Sequence, residues 1–72
     1  MNDRDVRLTV NGEPRTTAAR DLAALVEELG YGRDPRGIAV ALGDRVIPRS
    51  RWSATGLADG DAVEIVGAVQ GG

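Results

Sequence analysis

The chain has 72 residues, which is room for one domain, and its 42% hydrophobic residues are enough for a single small core. It contains no cysteine and no histidine, which excludes disulfides, thiolate metal sites, cysteine nucleophiles and the usual general base near neutral pH. The net charge of -2 argues against nucleic-acid binding, because that binding depends on clustered lysines and arginines.

The sequence shows no segment for secretion or membrane insertion. Its first five residues are polar or charged after the initial methionine and precede no apolar signal segment. The longest strongly apolar run, Ile38 to Leu42, is far too short to span a bilayer. These features predict a cytoplasmic protein without membrane contact.

The N-terminal region reads as a β-hairpin. Apolar and polar residues alternate from Val6 to Val10, the period of a strand with one buried face. Asn11-Gly12 tolerates the positive φ of a tight turn, and a short strand should return over Glu13–Thr16. Pro14 predicts that this second strand lies at a sheet edge.

An amphipathic helix follows from about Ala19. Its apolar residues fall at i, i+3, i+4 and i+7: Leu22, Leu25, Val26 and Leu29. Thr17 is the predicted N-cap, Asp21 lies near the positive end of the helix dipole, and Gly30 can close the helix in the left-handed region. A loop should then run from Tyr31 to Gly37.

Two further strands are predicted after this loop. In the first, Ile38–Leu42, the small residues Ala39 and Ala41 face away from the larger apolar ones. Gly43-Asp44 turns the chain back into a short strand over Arg45–Pro48, which the proline ends because it has no amide donor.

The C-terminal part supplies a tryptophan, a turn and the last strand. Trp52 is expected as a core anchor rather than a ligand-stacking residue. Asp59–Asp61 is a turn, and Ala62–Val69 is the last strand, with Val63 and Ile65 facing inward.

The order of these elements predicts an α+β fold of the β-grasp type, a mixed five-stranded sheet clasping one helix. A split β-α-β fold would need a second helical segment, which the periodicity does not provide. The expected organisation is a single domain over residues 1–69 with a flexible tail over residues 70–72.

The chain ends in Gly71-Gly72, and two explanations compete. Terminal glycines often have no role, and the pattern alone favours that explanation. The alternative is that a tail without Cβ atoms threads a narrow active site and presents its carboxylate. That carboxylate, with a pKa of roughly 3.3–3.7, is ionised and unreactive until it is activated, for example as an acyl adenylate. The sequence has no phosphate-binding loop, so ATP would bind to another protein.

Taken together, several short motifs resemble the ThiS family of sulfur carriers in thiamine biosynthesis. They are Val10–Gly12, Leu22–Gly30, Ile38–Leu42, Val46–Arg49 followed by Trp52, Leu57–Asp61, and Ala68–Gly72. Each is weak alone, but their succession in so short a chain is fairly specific.

The resemblance implies that this chain is a protein co-substrate and not an enzyme. Its tail, Gln70, Gly71 and Gly72, would be adenylated at Gly72 by a ThiF-type adenylating enzyme that uses ATP. A cysteine desulfurase would provide sulfur for a thiocarboxylate, and thiazole synthase (ThiG) would receive it. The carrier itself would bind no cofactor or metal and would be a monomer when free.

A candidate docking surface lies on the sheet face away from the helix. The small apolar residues expected there are Ala39, Ala41, Val66 and Ala68, and Leu57 belongs either to this surface or to the core. A docking surface and an ordinary solvent-exposed sheet face explain these short apolar side chains equally well. For Leu57, a place in the core is the favoured explanation.

The charged candidates have structural explanations that we favour. Arg45, Arg49 and Arg51 could steer an acidic partner, although charged loop residues usually form a solvated face. Asp59 and Asp61 could form an acid pair or a metal site, but they flank a glycine in a turn.

Two other functions remain open from the sequence. One is the same tail chemistry in another pathway, such as the small subunit of molybdopterin synthase. The other, of a different class, is a β-grasp interaction module with an inert tail, or a modifier conjugated to lysines.

Overall fold

The computed structural model describes residues 5–32 and 36–67, and over these residues it contains a five-stranded mixed sheet with a helix on one face. The strands are β1 (Val6–Val10), β2 (Glu13–Thr17), β3 (Ile38–Leu42), β4 (Arg45–Val46) and β5 (Ala62–Gly67). The helix α1 (Leu22–Val26) continues as a π-helical turn, Glu27–Tyr31, and a 3-10 helix, Arg49–Ala54, precedes β5. The predicted α+β, β-grasp arrangement is confirmed, with the strand order β2-β1-β5-β3-β4.

The first hairpin forms as predicted. Strands β1 and β2 pair antiparallel from Val6↔Thr17 to Val10↔Glu13. Asn11 has a φ of 53° and Gly12 a φ of 84°, the two positive values that a two-residue hairpin turn requires. Because β2 is the first strand in the sheet order, it lies at an edge, as its proline predicted.

The helix begins later than predicted, and its cap is a different residue. Asp21, not Thr17, is the N-cap, since its Oδ1 accepts a hydrogen bond from the Ala24 amide at 2.9 Å. Thr17 instead ends β2, where its Oγ1 accepts from the Ala19 amide. The prediction failed because Asp21 forms a β-bridge with Gly56, and Asp21 itself is extended, with a φ of -144° and a ψ of 171°.

The regular helical backbone ends at Gly30, as the sequence predicted, although the π-helical turn is assigned through Tyr31. Gly30 has a φ of 99°, which is outside the helical region and costs glycine little. Gly32 follows with a positive φ, and the loop over residues 31–37 lies partly outside the described residues.

Strand β4 is shorter than predicted and ends at Val46 rather than Pro48. The Ile47 amide still donates to the Val40 carbonyl at 2.9 Å, but the Ile47 carbonyl accepts from the Trp52 indole Nε1 at 2.8 Å. Pro48 then offers no amide donor. The ladder therefore stops, and the chain enters a 3-10 helix that the sequence analysis did not assign.

The core lies between the sheet and the helix. Its members are Leu8, Leu22, Leu25, Val26, Val40, Trp52, Val63 and Ile65. They come from both halves of the chain and include three of the four predicted helix-face residues, one residue each of β1 and β3, and both predicted inward residues of β5. Leu29 and the other apolar residues of β1 and β3 are partly buried and pack against this core. Trp52 is 4% exposed, so its interpretation as a core anchor is confirmed. Within residues 5–32 and 36–67, no helix is long and apolar enough to cross a membrane.

Candidate functional site

The candidate tail leaves the central strand of the sheet. Strand β5 lies between β1, which runs parallel to it, and β3, which runs antiparallel. Its last residue, Gly67, pairs with Ile38, the first residue of β3. The predicted site residues Ala68, Gln70, Gly71 and Gly72, and the end of the predicted last strand, lie outside the described residues.

The face of β5 opposite the helix carries an exposed apolar side chain. Ile65 points into the core and is 6% exposed, whereas Val66 is 61% exposed. Val66 pairs directly with Ala39 of β3, and opposed residues in an antiparallel pair point to the same face. The structure therefore brings the predicted residues Ala39 and Val66 together.

The neighbouring pair extends this apolar area towards the sheet edge. Ala41 of β3 lies two residues from Ala39, and it pairs with Val46 of β4. Val46 is 68% exposed. We call Ala39, Ala41, Val46 and Val66 the outer apolar patch. The two exposed valines lie on the strands that flank β3, so the patch crosses three strands. An exposed apolar patch of this kind is a candidate surface for binding another protein.

Val46 was missed by the sequence analysis, although a signal for it was present. Gly43-Asp44 is a two-residue turn, and such a turn fixes the pairing Leu42↔Arg45 and then Ala41↔Val46. That register places Val46 on the face of Ala41. Leu57 is the opposite case, since the structure packs it against the core, as the sequence favoured.

The rest of the outer face is largely polar, and it includes Glu64 of β5, which pairs with Ala41. Alternation from the buried Leu8 places Arg7 and Thr9 on this face, and Arg7 pairs with Thr16 of β2. The apolar patch is thus confined to β3, β4 and β5, and β5 is the strand that leads into the tail. A partner that bound there would contact the apolar half and leave the β1–β2 half in solvent.

Two of the three candidate arginines line one groove. Arg45 and Arg51 border an open groove of about 770 Å³, with Ile47 and Pro48 between them. Arg49 does not border it. All three arginines are exposed, and the groove has the ordinary character of a solvated loop surface.

Asp59 and Asp61 form a turn, as the sequence favoured. Asp59 Oδ1 accepts from the Arg7 amide at 2.9 Å, and Asp61 Oδ2 accepts from the Ala58 amide at 2.8 Å. Among residues 5–32 and 36–67, no group of three or more acidic, cysteine or histidine side chains could hold a metal ion. The chemistry of these two aspartates is therefore that of hydrogen-bond acceptors for the backbone.

Comparison with known proteins identifies the family. The model of the ThiS family matches residues 8–72. This chain belongs to the ThiS family. The match covers most of the chain and includes the terminal glycines.

Individual ThiS proteins are similar over nearly their whole length. The sulfur carrier protein ThiS of Thermus thermophilus is 36% identical over 63 residues, which are 88% of this chain and 95% of that protein. The crystal structure of the thiamine biosynthesis protein ThiS from Geobacter metallireducens has a TM-score of 0.76 and 33% identity, and it covers 93% of this chain and 100% of that one.

A larger protein also contains a ThiS-like segment. The thiazole synthase of Paramagnetospirillum magneticum is 37% identical over 68 residues, which are 93% of this chain. The chain spans only 20% of that protein's length. A segment similar to this chain thus makes up about one fifth of a longer protein called thiazole synthase.

Proposed function

We propose that this chain is the sulfur carrier for thiazole formation in thiamine biosynthesis, and that its terminal carboxylate at Gly72 is the group that carries the sulfur. The observation that carries this proposal is the ThiS family match, which extends through residue 72. A carrier of this kind is a co-substrate and not a catalyst.

The proposed chemistry has two steps at one carbonyl carbon. A carboxylate oxygen of Gly72 attacks the α-phosphorus of ATP on a ThiF-type adenylating enzyme, and pyrophosphate leaves. Hydrosulfide then attacks the acyl carbon, AMP leaves, and the product is a thiocarboxylate. Where a desulfurase persulfide attacks instead, it forms an acyl disulfide, and a second thiol cleaves this bond, is oxidised to a disulfide and releases the thiocarboxylate. Activation is required because a free carboxylate at neutral pH is ionised and resists nucleophiles. A cysteine desulfurase is the proposed source of the sulfur. The proposed location is the cytoplasm, where ATP is available.

Thiazole synthase is the proposed acceptor of the sulfur. The ThiS-like segment in the thiazole synthase of Paramagnetospirillum magneticum supports this pairing, since fusion into one chain is a common way to hold two partners together. The role of the body of the domain would be to hold the tail towards this partner.

The outer apolar patch is the proposed docking surface. Val66 is 61% exposed and belongs to the strand that leads into the tail. Residues 68–72 can span about 17 Å when extended. A partner docked on the patch would therefore have its active site within reach of Gly72.

Intact-mass spectrometry tests the proposed chemistry. The full chain is incubated with magnesium ATP, a ThiF-type enzyme and hydrosulfide. We expect a mass increase equal to the difference between a sulfur and an oxygen atom. A chain that lacks Gly72, and a chain extended by one residue beyond it, should keep their original mass because neither offers the same terminal carboxylate.

Two outcomes would count against the proposal. An unchanged mass with an enzyme that adenylates its own carrier in parallel would contradict sulfur carriage. If the thiocarboxylate forms but thiazole synthase and its small-molecule substrates yield no thiazole, the carrier would serve another pathway, such as that of molybdopterin.

A further inference from the structure

The side chain of Asn11 continues a backbone hydrogen-bond ladder between β1 and β5. These parallel strands pair as far as Val10↔Val63. The Asn11 amide then donates to the Val63 carbonyl at 2.8 Å. In a longer β1, the Ile65 amide would donate to the main-chain carbonyl of Asn11. It donates instead to Asn11 Oδ1, also at 2.8 Å.

The hairpin turn explains this substitution of one carbonyl for another. The φ of 53° takes Asn11 out of the extended conformation of β1 and into the turn with Gly12, so its main chain no longer continues the ladder. Asparagine tolerates this left-handed conformation better than most residues, and its short side chain ends in a second amide carbonyl. One residue thus makes the turn and supplies the next acceptor of the ladder. Because the partner is an amide donor, the atom that faces it must be the oxygen.

The bond from Ile65 to Asn11 lengthens by two residues the part of β5 that is hydrogen-bonded on both edges. On its other side, β5 is paired with β3 up to Gly67. On the β1 side, backbone pairing ends at Val63, and Asn11 Oδ1 holds the strand at Ile65. The next residue of β5, Val66, belongs to the outer apolar patch. Asn11 therefore fixes β5 directly before the docking surface and the start of the tail.

We propose that Asn11 is a positioning residue for sulfur loading: through Ile65, it fixes the direction in which β5 delivers the terminal carboxylate to the adenylating enzyme. This role rests on the proposed function. The tail after Gly67 spans about 17 Å when extended. When a partner holds the tail fully extended, a displacement of the end of β5 displaces Gly72 by about the same distance. Asn11 touches no reacting atom and acts only through the strand.

Two substitutions at Asn11 separate the acceptor from the turn. Asn11→Gly keeps the positive φ and removes the acceptor, whereas Asn11→Asp keeps an oxygen in the same place. Asp21→Ala is the control for lost stability, because Asp21 caps the helix and bridges Gly56 rather than β5. All variants are made in the full chain.

Amide exchange and adenylation kinetics are then measured on each variant. In Asn11→Gly, we expect the Ile65 amide to exchange roughly two- to tenfold faster, as the loss of one hydrogen bond implies. We expect kcat/KM for adenylation of the carrier to fall by a similar factor. Asn11→Asp should restore both values, and Asp21→Ala should lower the melting temperature without lowering kcat/KM.

The outcomes distinguish this role from the proposed function. If the unaltered chain is adenylated and Asn11→Gly has the same kcat/KM as the unaltered chain, the positioning role is overturned while sulfur carriage stands. It is also overturned if Asp21→Ala lowers kcat/KM as much as Asn11→Gly does. If the unaltered chain is never adenylated, the proposed function fails and the role of Asn11 fails with it.

Discussion

Ile65 and Val66 are neighbours in β5, yet they lie on opposite faces of the sheet and are 6% and 61% exposed. Burial of a side chain such as Ile65 contributes about 1.5–3 kcal/mol to folding, and an exposed valine gains little of this. The helix-side face therefore stabilises the domain. The side chains of the outer apolar patch stay exposed to solvent after folding and contribute little to stability. This contrast indicates that the two faces can be altered separately.

The largest expected effect comes from the helix-side face. Ile65→Ala should reduce the free energy of unfolding by about 2–5 kcal/mol, because it leaves a cavity among fully buried neighbours. A domain of this size has only about 4–11 kcal/mol to lose. Urea denaturation measures the change. A loss below about 0.5 kcal/mol would contradict the importance given to this face.

A smaller effect is expected at the helix N-terminus. Asp21→Ala removes the acceptor of the Ala24 amide and should cost about 0.5–2 kcal/mol. Thermal unfolding followed by circular dichroism measures it, and Asp21→Asn is the matched control that keeps a capping oxygen. An equal loss in both variants would show that the charge, and not the cap, stabilises the helix.

The ion pair at the sheet edge should contribute less again. Arg15 donates through Nε and Nη2 to Glu28 Oε2 at 3.1 and 3.0 Å, and both side chains are over one third exposed. Arg15→Gln should cost about 0.2–1 kcal/mol, and the cost should shrink as salt is added.

Arg7→Gln is the matched control for the lost charge, since Arg7 forms no ion pair within residues 5–32 and 36–67. Urea denaturation at low and high salt compares the two variants. Equal losses in both would mean that net charge, rather than the bond to Glu28, accounts for the effect.

The smallest effect on stability is expected on the outer apolar patch. Val66→Ala should change the free energy of unfolding by no more than about 0.5 kcal/mol. The same substitution should weaken binding to thiazole synthase about tenfold, because it removes two methyl groups from the proposed interface. Calorimetric titration measures the affinity. If Val66→Ala and Val46→Ala both bind thiazole synthase with unchanged affinity, the patch is not part of the interface.

Much of the fold could be predicted because its signals are local. The alternation in β1, the i, i+3, i+4, i+7 spacing of the helix and the Asn11-Gly12 turn each act within a few residues. The sites of Ala39 and Val66 on the outer face followed from the same alternation. Val46 could have been added from the length of its turn. The tail was identified from its residues alone, and its residues lie outside the described part of the chain.

The corrections concern polar contacts that the periodicity of the sequence does not encode. Thr17 is a reasonable cap from its sequence context, but the bridge from Asp21 to Gly56 decides where the helix begins. The end of β4 depends on the Trp52 indole, which takes the Ile47 carbonyl. Both choices depend on which polar group finds a partner after the chain has folded.

The sequence by itself determined the β-grasp arrangement of elements, the residues of the core and the family resemblance, because periodicity and turn residues encode them locally. The tertiary structure alone decided the helix cap, the pairing of Val66 with Ala39 and the contact from Asn11 to Ile65. That last contact joins residues 54 positions apart. Such a contact exists only when the sheet has assembled, since no short segment contains both the donor and the acceptor.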